Sequence, residues 1–245
     1  MSNLLRRQII KYENEYKSFM GIEKFPKYRL QFKEVSLEKA DAVGFESAAS
    51  TFYQTDTKEH TLLISANLPM LRYLAFHEFT HILDEEELVN KYGFSHNERN
   101  IMYVYKEIHA EQIKTLYLLG CKTIDDLGSI DKDRISFQHN KKLYNIYDYL
   151  IAYQEELRNN IKLIEYAKQN STKISVYEFN NILNRIFYYV GTASIYIKYC
   201  DVSVYNQLDV KDVWEYYGYG TNFLLKEFVK NDVGFHTKEL IEAMA

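Results

Sequence analysis

Apolar and polar positions alternate along this chain with two distinct periods. Over residues 3–20, Leu4, Leu5, Ile9 and Ile10 are interleaved with Arg6, Arg7 and Lys11, which predicts an amphipathic helix. Gly21 and Pro26 mark its end. From Tyr28 the period falls to two: Tyr28, Leu30 and Phe32 share one face and Arg29, Gln31 and Lys33 the other, as in a half-buried strand. A second extended stretch is predicted over about 43–53. Polar residues 54–59 then turn into a third strand, 61–65. Asn67 and Pro69 suit the start of a helix over about 68–89, in which Leu71, Leu74, Ala75, Phe79, Ile82 and Leu83 recur at three and four residues. A loop at 92–97 precedes a further helix, about 98–119, stopped by Gly120.

Beyond Cys121 the pattern reads as helical throughout: about 138–169, 176–199, 209–217, 222–230 and 237–244. The expected class is α+β, a helix and a small three-stranded sheet followed by helices. The Asp- and Gly-containing segment 122–134 is the natural place to divide the chain into a core, 1–120, and a helical lobe, 121–245, packed on it. Only two prolines and nine glycines occur in 245 residues, which favours long uninterrupted helices.

Charge and composition narrow the classes further. A net charge of -4 and the lack of any basic block speak against a nucleic-acid partner. The least polar run, 186–197, falls well short of the roughly 20 residues needed to cross a bilayer, and the charged N-terminus lacks the apolar centre of a secretory signal. Cys121 and Cys200 match no metal spacing and are expected as free thiols. These features together predict a cytoplasmic protein. The 23 tyrosines are explained by base composition more simply than by a special aromatic role.

One segment carries chemistry. His77-Glu78-Phe79-Thr80-His81 fits H-E-x-x-H inside a predicted amphipathic helix. Residues four apart stack on one helix face, so two imidazoles can hold one ion. Glu78 is angled off that line and can reach a water at the ion without ligating it, as a general base must. Chance alone produces the pattern in roughly one or two per cent of chains with this many histidines, so its helical context matters. Sites of this kind take three protein ligands and leave one position open. Glu107, on the following helix in Glu107-Ile108-His109-Ala110-Glu111, is the leading third ligand. Glu111, one turn on, is the competing ligand or else a group that accepts the second N–H of a ligating histidine. His109 lies about 200° round the helix from Glu107 and cannot share its ion. The bland alternative is that both glutamates lie on a solvated helix face, and the acidic run Asp84–Glu87 reads more simply as a solvated helix end.

A strand, a helix with His-Glu-x-x-His, and a later helix with Glu-x-x-Ala and a polar residue resemble the gluzincin peptidases with a zincin-like fold. The nearest flavour is the ImmA/IrrE type of phages and mobile elements. The resemblance covers about residues 1–120 and implies one zinc ion per chain held by His77, His81 and Glu107, with Glu78 as catalytic base. Glu111 departs from the Asn usual there. The implied function is zinc-dependent cleavage of a peptide bond in a protein partner such as a repressor, with an extended peptide adding to the strand at 60–65 as the cleft edge. The alternative is a zinc-binding regulatory protein that keeps this fold with little proteolytic activity. For oxyanion stabilisation, Tyr188, Tyr189, Tyr196, Tyr199 and His236 are candidates, and core packing explains the tyrosines equally well.

Overall fold

In a computed structural model, residues 2–34, 49–90, 93, 95, 102–170, 173, 175–203 and 228–230 are described. The chain is mixed α+β, predominantly helical, with a small three-stranded sheet. It divides into two compact units between Lys106 and Glu107, whereas the sequence placed the division after Gly120.

The first unit opens with α1 (Ser2–Met20), followed by β1 (Tyr28–Lys33), β2 (Ala49–Gln54), β3 (Glu59–Ser65) and α2 (Arg72–Asn90). The expected strand over 43–53 is realised from Ala49; its first part lies outside the described residues. β3 is the central strand, parallel to β1 with Leu30 opposite Leu62 and antiparallel to β2 with Thr51 opposite Leu62. Both faces of β3 are covered, which is why Leu62-Leu63-Ile64 runs without a polar break. The strand at 60–65 is therefore no sheet edge. Among the described residues the edges are β1 and β2, and α2 packs against β2.

Helix α2 starts four residues later than Asn67 and Pro69 suggested. The backbone N–H groups of Asn67 and Leu68 donate to the Ser65 hydroxyl at 3.4 and 3.1 Å, forming a turn that holds 66–68 out of the helix. The first bond of the helical ladder is Ala75 N–H to Leu71 C=O, 3.1 Å. One face of α2 is buried against α1. Tyr16 meets Phe76 edge-on at 5.3 Å and Phe79 at 5.5 Å, and Phe25 adds a further edge contact to Phe79. The buried Tyr16 hydroxyl donates to Thr80 Oγ1 at 3.0 Å, and Thr80 donates to the Phe76 carbonyl one turn back.

The second unit takes in most of α3 (Tyr103–Leu118), whose first four residues belong to the first unit. α3 ends where Gly120 takes φ +95°, with Cys121 N–H bonded to Leu116 C=O and Gly120 N–H to Tyr117 C=O, a Schellman closure. The segment expected to act as a linker folds back on this helix end, Asp131 N–H donating to Leu119 C=O at 2.9 Å, and just beyond it Ser136 Oγ donates to Leu118 C=O at 2.7 Å.

A hairpin follows where helix was expected. β4 (Phe137–His139) and β5 (Lys142–Tyr144) pair across Asn140 and Lys141, both with positive φ. Two consecutive left-handed residues are what a tight hairpin turn of matching twist requires, and Asn is the side chain that accepts it most readily. Helix α4 (Ile146–Gln169) begins only at Asn145, whose side-chain oxygen accepts the Asp148 N–H at 2.9 Å. The Asn145-x-x-Asp148 spacing was the readable start signal. Helix α5 (Val176–Tyr199) has the expected bounds, and Gly191 in it faces α3: a Cβ there would stand 2.7 Å from the Ile108 carbonyl oxygen and from Glu111 Cβ. Of the three short helices expected after 209, only 228–230 lies among the described residues, and it is helical.

Candidate metal centre

His77 and His81 follow from the α2 register. The Phe76, Phe79 and Thr80 face is taken up by α1, so residues rotated off it are left to present side chains elsewhere. Their ring planes are perpendicular with centroids 4.6 Å apart, and the two Nε2 atoms are 3.0 Å apart. His77 is buried and His81 half-buried. Glu107 on α3 is also buried. One ligand atom from each of His77, His81 and Glu107 lies within 4.8 Å of the others, a group able to hold a metal ion.

The donor set can be tested against zinc. Two imidazole nitrogens and a carboxylate oxygen are ordinary zinc ligands with bonds of about 2.0–2.2 Å, so neighbouring donors around a tetrahedral ion are about 3.3 Å apart. The two Nε2 atoms are already near that spacing. If they were merely hydrogen-bonded, one would carry a proton and point it at the other; as ligands, both direct lone pairs to a common point. A Glu107 carboxylate oxygen lies within 4.8 Å of both nitrogens. The residues fit the ion.

Glu78 is half-buried on α2, next to His77. Glu111 lies outside the three-residue group. Its carboxylate is 1% exposed in total, with Oε2 2.7 Å from Lys114 Nζ and Oε1 accepting from Thr192 Oγ1 at 3.2 Å. Neither Glu107 nor Glu111 lies on a solvated face, because both are buried. Around them α3 carries an unusual load of buried polar side chains. Gln112 donates to Ser194 Oγ at 2.8 Å and Thr115 pairs with Thr192 at 3.2 Å, so α3 and α5 are registered by hydrogen bonds as well as by Gly191.

The acidic run is not a plain solvated helix end. Asp84 is buried, Glu85 Oε2 lies 2.6 Å from Lys106 Nζ, and Glu86 Oε2 lies 2.8 Å from Nε2 of buried His60, whose ring also meets Tyr53 at 4.9 Å. Sequence reasoning missed these partners because each bridges residues more than twenty positions apart.

The four tyrosines offered as oxyanion donors all have packing contacts. Tyr189 is fully buried against Tyr153, Tyr196 packs on Tyr147, and Lys114 and Lys198 sit over the rings of Tyr188 and Tyr199. His236 lies outside the described residues. Cys121 and Cys200 are free thiols, and burial pushes the Cys200 thiol up to about 11, which keeps it protonated at neutral pH. Among the described residues no helix is long and apolar enough to cross a membrane. Comparisons with protein-family models, curated proteins and solved structures find no match to this chain.

Proposed function

We propose that the protein is a cytoplasmic zinc metallopeptidase of zincin-like fold, similar to the ImmA/IrrE type, that cleaves a peptide bond in a protein partner such as a repressor. The observation that carries this reading is the convergence of His77, His81 and Glu107. Two of these are fixed by helical spacing, but the third comes from a different helix and had no local reason to be there. A bound zinc ion supplies Lewis acidity, polarising a carbonyl and lowering the pKa of water. The chain's own residues do the rest. His77 and His81 would hold the ion through neutral ring nitrogens and Glu107 through a negative carboxylate oxygen. The Glu78 carboxylate takes the proton of the attacking water and passes a proton to the leaving amine.

The sheet topology moves the expected peptide edge. β3 has a neighbour on each side, so we assign strand addition to β2, an edge strand among the described residues that packs on α2.

The reading is tested by metal analysis of the purified protein, with one zinc per chain expected. Full zinc occupancy in His77→Ala/His81→Ala would sink the assignment. Peptidase action is tested on a genuine partner, with wild type expected to cleave it and Glu78→Gln to leave it whole.

A further inference from the structure

The residues between α2 and α3, 91–102, do not by their number alone fix where α3 must begin, since a connection of that length admits many placements at similar entropy. A side-chain pair within the first unit does constrain it. Lys106 Nζ lies 2.6 Å from Glu85 Oε2, with side chains only 17% and 12% exposed. Glu85 stands four residues after His81, one turn along the same side of α2. Lys106 directly precedes Glu107. The pair thus ties a residue one turn beyond an imidazole ligand to the residue beside the carboxylate ligand.

We propose that Glu85 and Lys106 form a positioning clamp that sets Glu107 against His77 and His81 and thereby sets metal affinity. Exposed ion pairs hold little geometry, because water and salt compete for both partners. This one is short, charge-assisted and mostly screened from solvent, the circumstances in which such a bond restrains its elements. The inference rests on the metal reading above, and neither residue touches the metal in it.

The clamp also has a charge consequence that makes it testable. Lys106 places a cation beside a site for a cation, and Glu85 offsets it. Removing Lys106 should strengthen zinc binding if charge is all that matters, and weaken it if geometry dominates. The experiment is competition for zinc between the full-length protein and a chelator, with each variant's fold checked by circular dichroism. Lys106→Met and Glu85→Gln should each weaken zinc affinity by about 10- to 100-fold, the range typical of groups that orient metal ligands. The exchanged pair Glu85→Lys/Lys106→Glu should regain most of the loss. Tighter binding in Lys106→Met overturns the proposal, as does an exchanged pair no better than the single variants. If Lys106→Met does not fold, Glu85→Gln, which keeps the shape and a hydrogen-bond acceptor, decides: unchanged affinity refutes the clamp. Wild type that takes up no zinc overturns the metal reading and the clamp together. Zinc-binding wild type with unaffected variants overturns the clamp alone.

Discussion

Glu78 and Glu107 have the same side chain but are proposed to serve different roles, one as base and one as ligand. Glu78 is half-buried beside His77, whereas Glu107 contributes an oxygen to the three-residue group. Glu78→Gln should keep zinc and fold but lose turnover by about 10²–10⁴-fold, because an amide cannot take the proton. Wild-type turnover in that variant removes Glu78 from the mechanism. Glu107→Gln should instead strip most of the zinc, since it deletes both a bond and a charge. Glu111 is bonded to Lys114 and Thr192 and lies outside the three-residue group, so Glu111→Gln should leave a site that still fills with zinc. Chelator titration of the two variants ranks them; a metal-free Glu111→Gln alongside a normal Glu107→Gln would reverse the ligand assignment. His139 offers a different residue-level test. Burial first, and then the Arg185 charge, lower its pKa below the usual imidazole value. The unfolded chain therefore takes up this proton before the folded one does. Its contribution to stability is present above the unfolded value of about 6.5 and is lost as pH falls through the folded value. His139→Gln should flatten that part of the urea-midpoint profile between pH 7 and 5. Parallel losses in both proteins would acquit His139.

At the scale of elements, the two helices that carry the candidate ligands are held by different devices. α2 is clamped by aromatic edges from α1 and by the Tyr16 hydroxyl on Thr80. Burial raises the pKa of that hydroxyl, so it stays protonated and donates at any ordinary pH. α3 is held to α5 by close approach at Gly191 and by polar pairs around it. Gly191→Ala would force a methyl group to within 2.7 Å of the Ile108 carbonyl oxygen and Glu111 Cβ, which are backbone and helix-rooted atoms that cannot swing away. The helix itself gains about 1 kcal/mol from the exchange. Overpacking should still win, giving a net loss of about 1–2 kcal/mol in urea denaturation. Equal or higher stability would mean that α5 slides freely on α3.

For the whole molecule, the proposed metal would be linked to folding. If zinc binds the folded chain and not the unfolded one, zinc at 100 times its dissociation constant adds about 2.7 kcal/mol of stability. Thermal melting with and without a chelator measures this directly, and His77→Ala/His81→Ala should lose the zinc-dependent increment. A zinc-independent melting curve for the wild type would deny the metal a structural role.

Helical spacing fixes the relation of His77 to His81 in any structure that keeps α2 a helix, so the motif was legible from the sequence. The same holds for α1, β1, β3 and α5, whose apolar periods are long or bounded by glycine and turn residues. Short elements were not legible. The hairpin at 137–144 has three residues per strand, too few for a period of two to stand out beside a long helical pattern, and Ser65 displaced the expected cap at Asn67. Nor could local pattern tell that β3 is central, because a continuous apolar run fits any strand covered on both sides. Tertiary structure alone brought Glu107, rather than Glu111, to the two histidines and gave Glu85 a partner in Lys106. Those relations depend on where one helix lies against another. Packing and buried charge decide that placement, and neither leaves a periodic mark on the chain.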